Sequence, residues 1–195
     1  MQAETRYQQD AELRVSTEGG TPRLSGYAAV FNRRSLPMQF GPERFVELIT
    51  PGAFTRSLED GADVVARVHH SDSHIIGRRS AGTLRVEERS RGLWYQVDLP
   101  DTAAARDLAV SVERGDIRGS SFAFNVPEGG DEWTTKGQTT TRTLSDIDLH
   151  EVSPVVTPAY PATDGTLALR SLAAWRQKSL VIPRLRLELA AKAVL

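Results

Sequence analysis

The chain contains no cysteine, so disulfides, thiolate metal sites and cysteine nucleophiles are all excluded. It also lacks a dominant charge: 24 basic residues face 25 acidic ones, for a formal net charge of -1. No global field would draw such a chain onto nucleic acid or an anionic membrane, and neither is expected as a partner. Hydrophobic runs are short, and none approaches the roughly 18 residues that a bilayer span needs. The first residues, MQAETRYQQDAELRV, are polar and carry no apolar signal-peptide core. These absences together predict a soluble, intracellular protein that folds without covalent staples.

What the sequence does hold is a turn-rich pattern. Over 195 residues there are 15 glycines and 10 prolines, with 39% apolar and 25% charged residues. Short apolar stretches bounded by Gly and Pro read as strands over 24–31, 44–49, 63–70, 83–88, 93–99, 117–126 and 139–156. Arg89-Ser90-Arg91-Gly92 is a hairpin turn between two of them. Thr50-Pro51 predicts a helix start, with Phe54 and Leu58 on its apolar side. A second helix follows Pro100, with Asp101 as cap, Ala104, Leu108 and Val112 as stripe, and Gly115 as stop. The expected fold is α+β: a bent antiparallel sheet or β-barrel with a few flanking helices. Residues 1–11 are expected to be disordered, 12–163 to form the domain, and 164–195 to be a helical or flexible tail.

Three of the four histidines, His69, His70 and His74, lie in VHHSDSHIIGRR beside Asp72. Such a cluster suggests a metal site, but neighbouring strand residues face opposite ways, so His69 and His70 cannot both reach one ion. No metal and no cofactor is expected. Continued strand alternation would put His70 on the apolar face of Val64, Ala66 and Val68. There it is either a satisfied core residue or a base at a cleft edge.

The same alternation in GDIRGSSFAFNV separates two adjacent serines. Ser120 joins Phe122 and Phe124, whereas Ser121 joins Gly119, Ala123 and Asn125 on a small, polar face open to a substrate. In DIDLHEVSPVV, Glu151 falls in line with Ile147 and Leu149. A carboxylate there needs a hydrogen-bonding or cationic partner, and both an imidazole and an arginine would serve. Ser121, His70 and Glu151 supply what acyl transfer requires: a hydroxyl, a base to take its proton, and a carboxylate to orient the base.

Six ordered blocks resemble the prohead maturation proteases of tailed phages and prophages. They are LSGYAAVFN, FVELITPGAFTRSL, HHSDSHIIGR, GLWYQVDLPDTAAARDL, GDIRGSSFAFNV and LHEVSPVVTPAYPAT, spanning about residues 12 to 165. The resemblance implies a fold similar to the herpesvirus assembly protease and a His–Ser–Glu order of catalytic groups. The family histidine stands seven residues before a glycine, which is His70 before Gly77; His69 is the minor alternative, since His69 and Ser71 replace the usual Asn and Asp. The family serine precedes Phe-x-Phe, which selects Ser121, and its glutamate precedes Val-Ser, which selects Glu151. Oxyanion donors are expected from Thr157 to Tyr160, chiefly Ala159 and Tyr160. The implied function is a serine endopeptidase acting inside the immature head, the prohead, in the host cytoplasm. Its substrates would be the scaffold or the scaffold-like part of the major capsid protein, and the enzyme itself, with a self-cleavage region in the tail. Whether it works alone or as a homodimer stays open, as does the rival reading of a non-catalytic scaffold or head protein that retains the fold.

Overall fold

The computed structural model describes residues 3–9, 11–40, 42–156 and 168–177. Within them the strands are β1 (Glu4–Gln8), β2 (Arg14–Glu18), β3 (Thr21–Val30), β4 (Met38–Phe40), β5 (Glu43–Ile49), β6 (Val65–Arg67) and β7 (Ile75–Arg78). They continue with β8 (Leu84–Arg89), β9 (Gly92–Asp98), β10 (Gly119–Asn125), β11 (Asp131–Lys136), β12 (Thr139–Leu144) and β13 (Asp148–Val155). Two helices, α1 (Thr55–Glu59) and α2 (Ala103–Glu113), interrupt them, and residues 168–177 are also helical.

The strands form three sheets: β1-β10-β13-β6-β7, β11-β12-β5-β4 and β2-β3-β9-β8. The α+β expectation holds, but among the described residues no sheet closes into a barrel. Nor is the pairing wholly antiparallel, because β13 runs parallel to β6 and β12 parallel to β5.

Alternation explains the main core. One face of the first sheet contributes Val64, Ala66, Phe122, Phe124, Leu149 and Val152, and the β2-β3-β9-β8 sheet contributes Leu24, Leu84, Leu93, Tyr95 and Val97. Leu108 and Val112 of α2 complete it, as their stripe predicts, though the cap is Thr102, which accepts from Ala105 N, and Ala105 rather than Ala104 is buried. Helix α1 is shorter than expected: it begins at Thr55 after Phe54, not at Thr50.

The N-terminus differs from its expectation. Residues 4–8, read as disordered, form β1 against β10, with Tyr7 opposite Ser121. Polarity misled here, because Glu4 is buried by pairing with Arg142 and Arg6 rather than by apolar contact. At the other end, Ala168 and Leu172 pack in a second cluster with Met38, Phe45 and Trp133. Trp133 Nε1 donates to Ser171 Oγ at 2.9 Å, and Ser171 donates to Asp131 at 2.6 Å. Asp131 and Glu132 open β11.

Candidate active site

The first sheet carries its core on one face and its chemistry on the other. Antiparallel partners share a face, and Ser121 lies opposite Ser153 while Ala123 lies opposite Glu151. Ser121 and Glu151 are therefore diagonal neighbours on the side away from Phe122 and Phe124. Glu151 reaches that side through an irregularity of β13. The register steps from Ala123↔Glu151 to Phe124↔Leu149, leaving His150 as the extra residue of a β-bulge. Leu149 thus enters the core and Glu151, two residues on, faces away from it. The expected alignment of Glu151 with Ile147 and Leu149 on one buried face is corrected by that single bulge.

The placement of His70 corrects the alternation argument as well. Strand β6 ends at Arg67, and His69 and His70 both adopt left-handed backbone, with φ of 54° and 58°. Neither has glycine's freedom there, so the turn is held from outside. His69 N donates to Pro154 O at 3.2 Å, and His70 N donates to Ser153 Oγ at 3.0 Å. Ser153 Oγ in turn donates to Arg67 O at 2.9 Å. This fully buried serine fastens both ends of the turn to β13 and swings His70 off the Val64–Ala66 face.

The result is a continuous polar relay. His70 Nε2 lies 2.7 Å from Ser121 Oγ, and His70 Nδ1 lies 2.7 Å from Glu151 Oε1. Glu151 and Ser121 are each 5% exposed, while the imidazole between them is about a third exposed and open to a substrate. Glu151 Oε2 accepts from Arg67 Nη1 at 2.6 Å. Both partners foreseen for this carboxylate, an imidazole and an arginine, are present at once. Ser121 Oγ also lies 2.8 Å from the Arg6 carbonyl on β1, so its one hydroxyl hydrogen has two acceptors in reach.

Ser120 takes the other face. It is fully buried, lies 3.1 Å from Tyr95 Oη and donates to Ser153 O at 3.2 Å. Burial pushes the Tyr95 phenol upward, so it remains a neutral hydrogen-bonding partner. The remaining histidines disperse. His74 Nδ1 meets Ser71 Oγ at 3.1 Å, Asp72 pairs with Arg67, and His69 is lowered by burial and by the neighbouring His70 and His74. Among the described residues no group of three or more His, Asp or Glu side chains could hold a metal ion. Ala159 and Tyr160, the expected oxyanion donors, lie outside the described residues. Arg67, Ser153 and the Arg6 carbonyl were not foreseen at the site. Only Ser153 carried a signal, its two-residue spacing from Glu151.

A hydroxyl, an imidazole and a carboxylate in hydrogen-bonded series is the arrangement of serine hydrolases, whatever their fold. The sequence matches the caudovirus prohead serine protease family over residues 9–178, and the chain belongs to that family. It is a serine protease of phage capsid maturation, with capsid proteins as the substrate class and the prohead as the place of action. Its fold is similar to the solved structure of the capsid assembly protease, gp21, of bacteriophage T4, with a TM-score of 0.51 at 9% identity. That match covers 81% of this chain and 100% of the other. Comparison with curated protein sequences gives no significant match.

Proposed function

We propose that this protease cleaves the scaffold or the scaffold-like part of the major capsid protein, and itself, with Ser121 as nucleophile, His70 as general base and Glu151 as the group that orients the base. The observation that carries the assignment is the pair of 2.7 Å contacts on the two nitrogens of one imidazole. With Nδ1–H donating to Glu151, Nε2 is left as the acceptor of the Ser121 proton. Ser121 Oγ then attacks the scissile carbonyl as His70 takes the proton, and Glu151 stabilises the imidazolium that forms. Collapse of the tetrahedral intermediate breaks the C–N bond, with the imidazolium proton passing to the leaving amine. Water, deprotonated by the same imidazole, hydrolyses the acyl-enzyme.

Backbone N–H groups of Ala159 and Tyr160 are assigned to the developing oxyanion, since the segment directly follows β13, the strand that carries Glu151. The architecture is read as herpesvirus assembly protease-like, supported by the family blocks, and the setting as the prohead within the host cytoplasm. The domain expected at 12–163 is extended to take in β1 and the packed segment 168–177, and self-cleavage is assigned to the tail beyond that segment. Fluorophosphonate labelling followed by peptide mapping tests the site. Modification is expected at Ser121, abolished in Ser121→Ala and His70→Ala; modification elsewhere, or labelling that survives His70→Ala, refutes the assignment.

A further inference from the structure

Arg67 sits at the last position of β6, one side chain away from the imidazole. Its backbone is fixed independently of its side chain, through the pairing of Arg67 with Ile75 and the bond from Ser153 Oγ to its carbonyl. Its guanidinium meets Glu151 Oε2 at 2.6 Å through Nη1 and Asp72 at 3.1 Å through Nη2. Its Nε is buried and has no hydrogen-bond partner among the described residues. Burying that nitrogen without a partner works against stability. A long apolar side chain would fill the same space without that loss but would leave Glu151 Oε2 without its partner, so the arginine is there for the carboxylate.

The geometry does account for it. Glu151 has two oxygens and two tasks, and His70 Nδ1 occupies only Oε1. A guanidinium has only donors to offer, so it meets Oε2 only as an acceptor. Held at that end, the carboxylate cannot rotate away, and Oε1 stays aimed at the ring. Were Oε1 to swing aside, Nδ1–H would lose the acceptor that fixes the tautomer and aims Nε2 at Ser121.

We propose that Arg67 is a positioning residue of the hydrolytic relay, which acts by holding Glu151 as the acceptor of the His70 Nδ1 proton. The proposal rests on the assignment of Ser121, His70 and Glu151 above. It is tested by the second-order rate of fluorophosphonate modification of Ser121, which reports nucleophile activation without requiring a known cleavage site. Arg67→Met should lower that rate by about tenfold to a hundredfold, the scale of a slightly misplaced catalytic group, measured at a temperature where circular dichroism shows the variant folded. In a Glu151→Gln background, Arg67→Met should cost nothing further, because Arg67 acts only through Glu151. Guanidinium ion at non-denaturing concentration should restore part of the rate to Arg67→Ala.

An unchanged rate in Arg67→Met, or an equal further loss on top of Glu151→Gln, overturns the proposal and leaves the Ser121 assignment standing. If Arg67→Met does not fold, Arg67→Ala decides, and absence of guanidinium rescue in the folded variant counts against the role. Failure of the wild type to react at Ser121 overturns both.

Discussion

Replacing Arg142 by methionine should be among the most destabilising single changes available to this protein. Arg142 is 1% exposed and bridges three elements. It reaches Asp131 of β11 at 2.6 Å, Glu47 of β5 at 2.9 Å, and Glu4 of β1 at 2.8 and 3.1 Å. Arg6 joins the same group through Glu4 and Glu47. The substitution would leave three carboxylates around one guanidinium in a site with little water. Breaking a buried pair by removing one partner costs about 3–5 kcal/mol, because the charge left behind is uncompensated. For a domain of this size, at about 2–4 °C per kcal/mol, the melting temperature should fall by roughly 6–20 °C.

The sign of the pH dependence follows from Glu47. Burial pushes its carboxyl up, but Arg6 and Arg142 more than offset that and hold it below the usual range. A carboxylate lowered in the folded state contributes stability that is fully present above its unfolded value, about 4.3. That contribution is lost only as pH falls through the lower folded value. In Arg142→Met one of the two cations is gone and burial gains weight, so taking up a proton relieves the site. The deficit relative to wild type should therefore be smaller at pH 5 than at pH 7. Urea unfolding followed by circular dichroism at both pH values measures it. A deficit below about 1 kcal/mol at pH 7, the scale of a surface pair, or one that grows on acidification, would refute the reasoning.

Two further changes probe the ends of the fold. A methyl group at Gly119 would lie 2.3 Å from the Tyr7 ring, so Gly119→Ala should displace β1 from β10 and cost about 1–3 kcal/mol as an overpacking defect; protease cleavage within residues 4–8 under native conditions should rise, and unchanged resistance would contradict the clash. Truncation after Thr163 removes Ala168 and Leu172 from Met38, Phe45 and Trp133, and Ser171 from Asp131 and Trp133. Trp133 emission should shift to longer wavelength in that truncation but not in one ending at Lys178, and equal spectra would show that the helical segment does not cover the indole.

Much of the site was legible in the sequence because strand alternation is local. The separation of Ser120 from Ser121 needs only the period of two, and the burial of Ser120 against Tyr95 follows it. The same rule failed for His70 and Glu151, and for a common reason. Each is re-aimed by an interruption of the strand, a left-handed turn after Arg67 and a bulge at His150, and neither leaves a glycine or proline to mark it. The family blocks reached the same two residues by spacing, which such interruptions do not disturb. Strand β1 was missed because its anchors, Glu4 and Arg6, find their opposite charges at Arg142 and Glu47, which are distant in sequence. The parallel pairings were likewise beyond reach, since no local pattern reports which strand lies beside β13 or β12.

The central claim is that one hydroxyl, Ser121 and not its neighbour, performs the cleavage of capsid protein. Mass spectrometry of the major capsid protein co-expressed with this protease tests it most directly. Wild type and Ser120→Ala should both yield a shortened capsid protein, Ser120 being a buried partner of Tyr95 with no access to substrate. Ser121→Ala should leave the capsid protein at full length, since removal of the nucleophile removes the acyl-enzyme route. Shortening that persists with Ser121→Ala, or that disappears with a folded Ser120→Ala, would contradict the account.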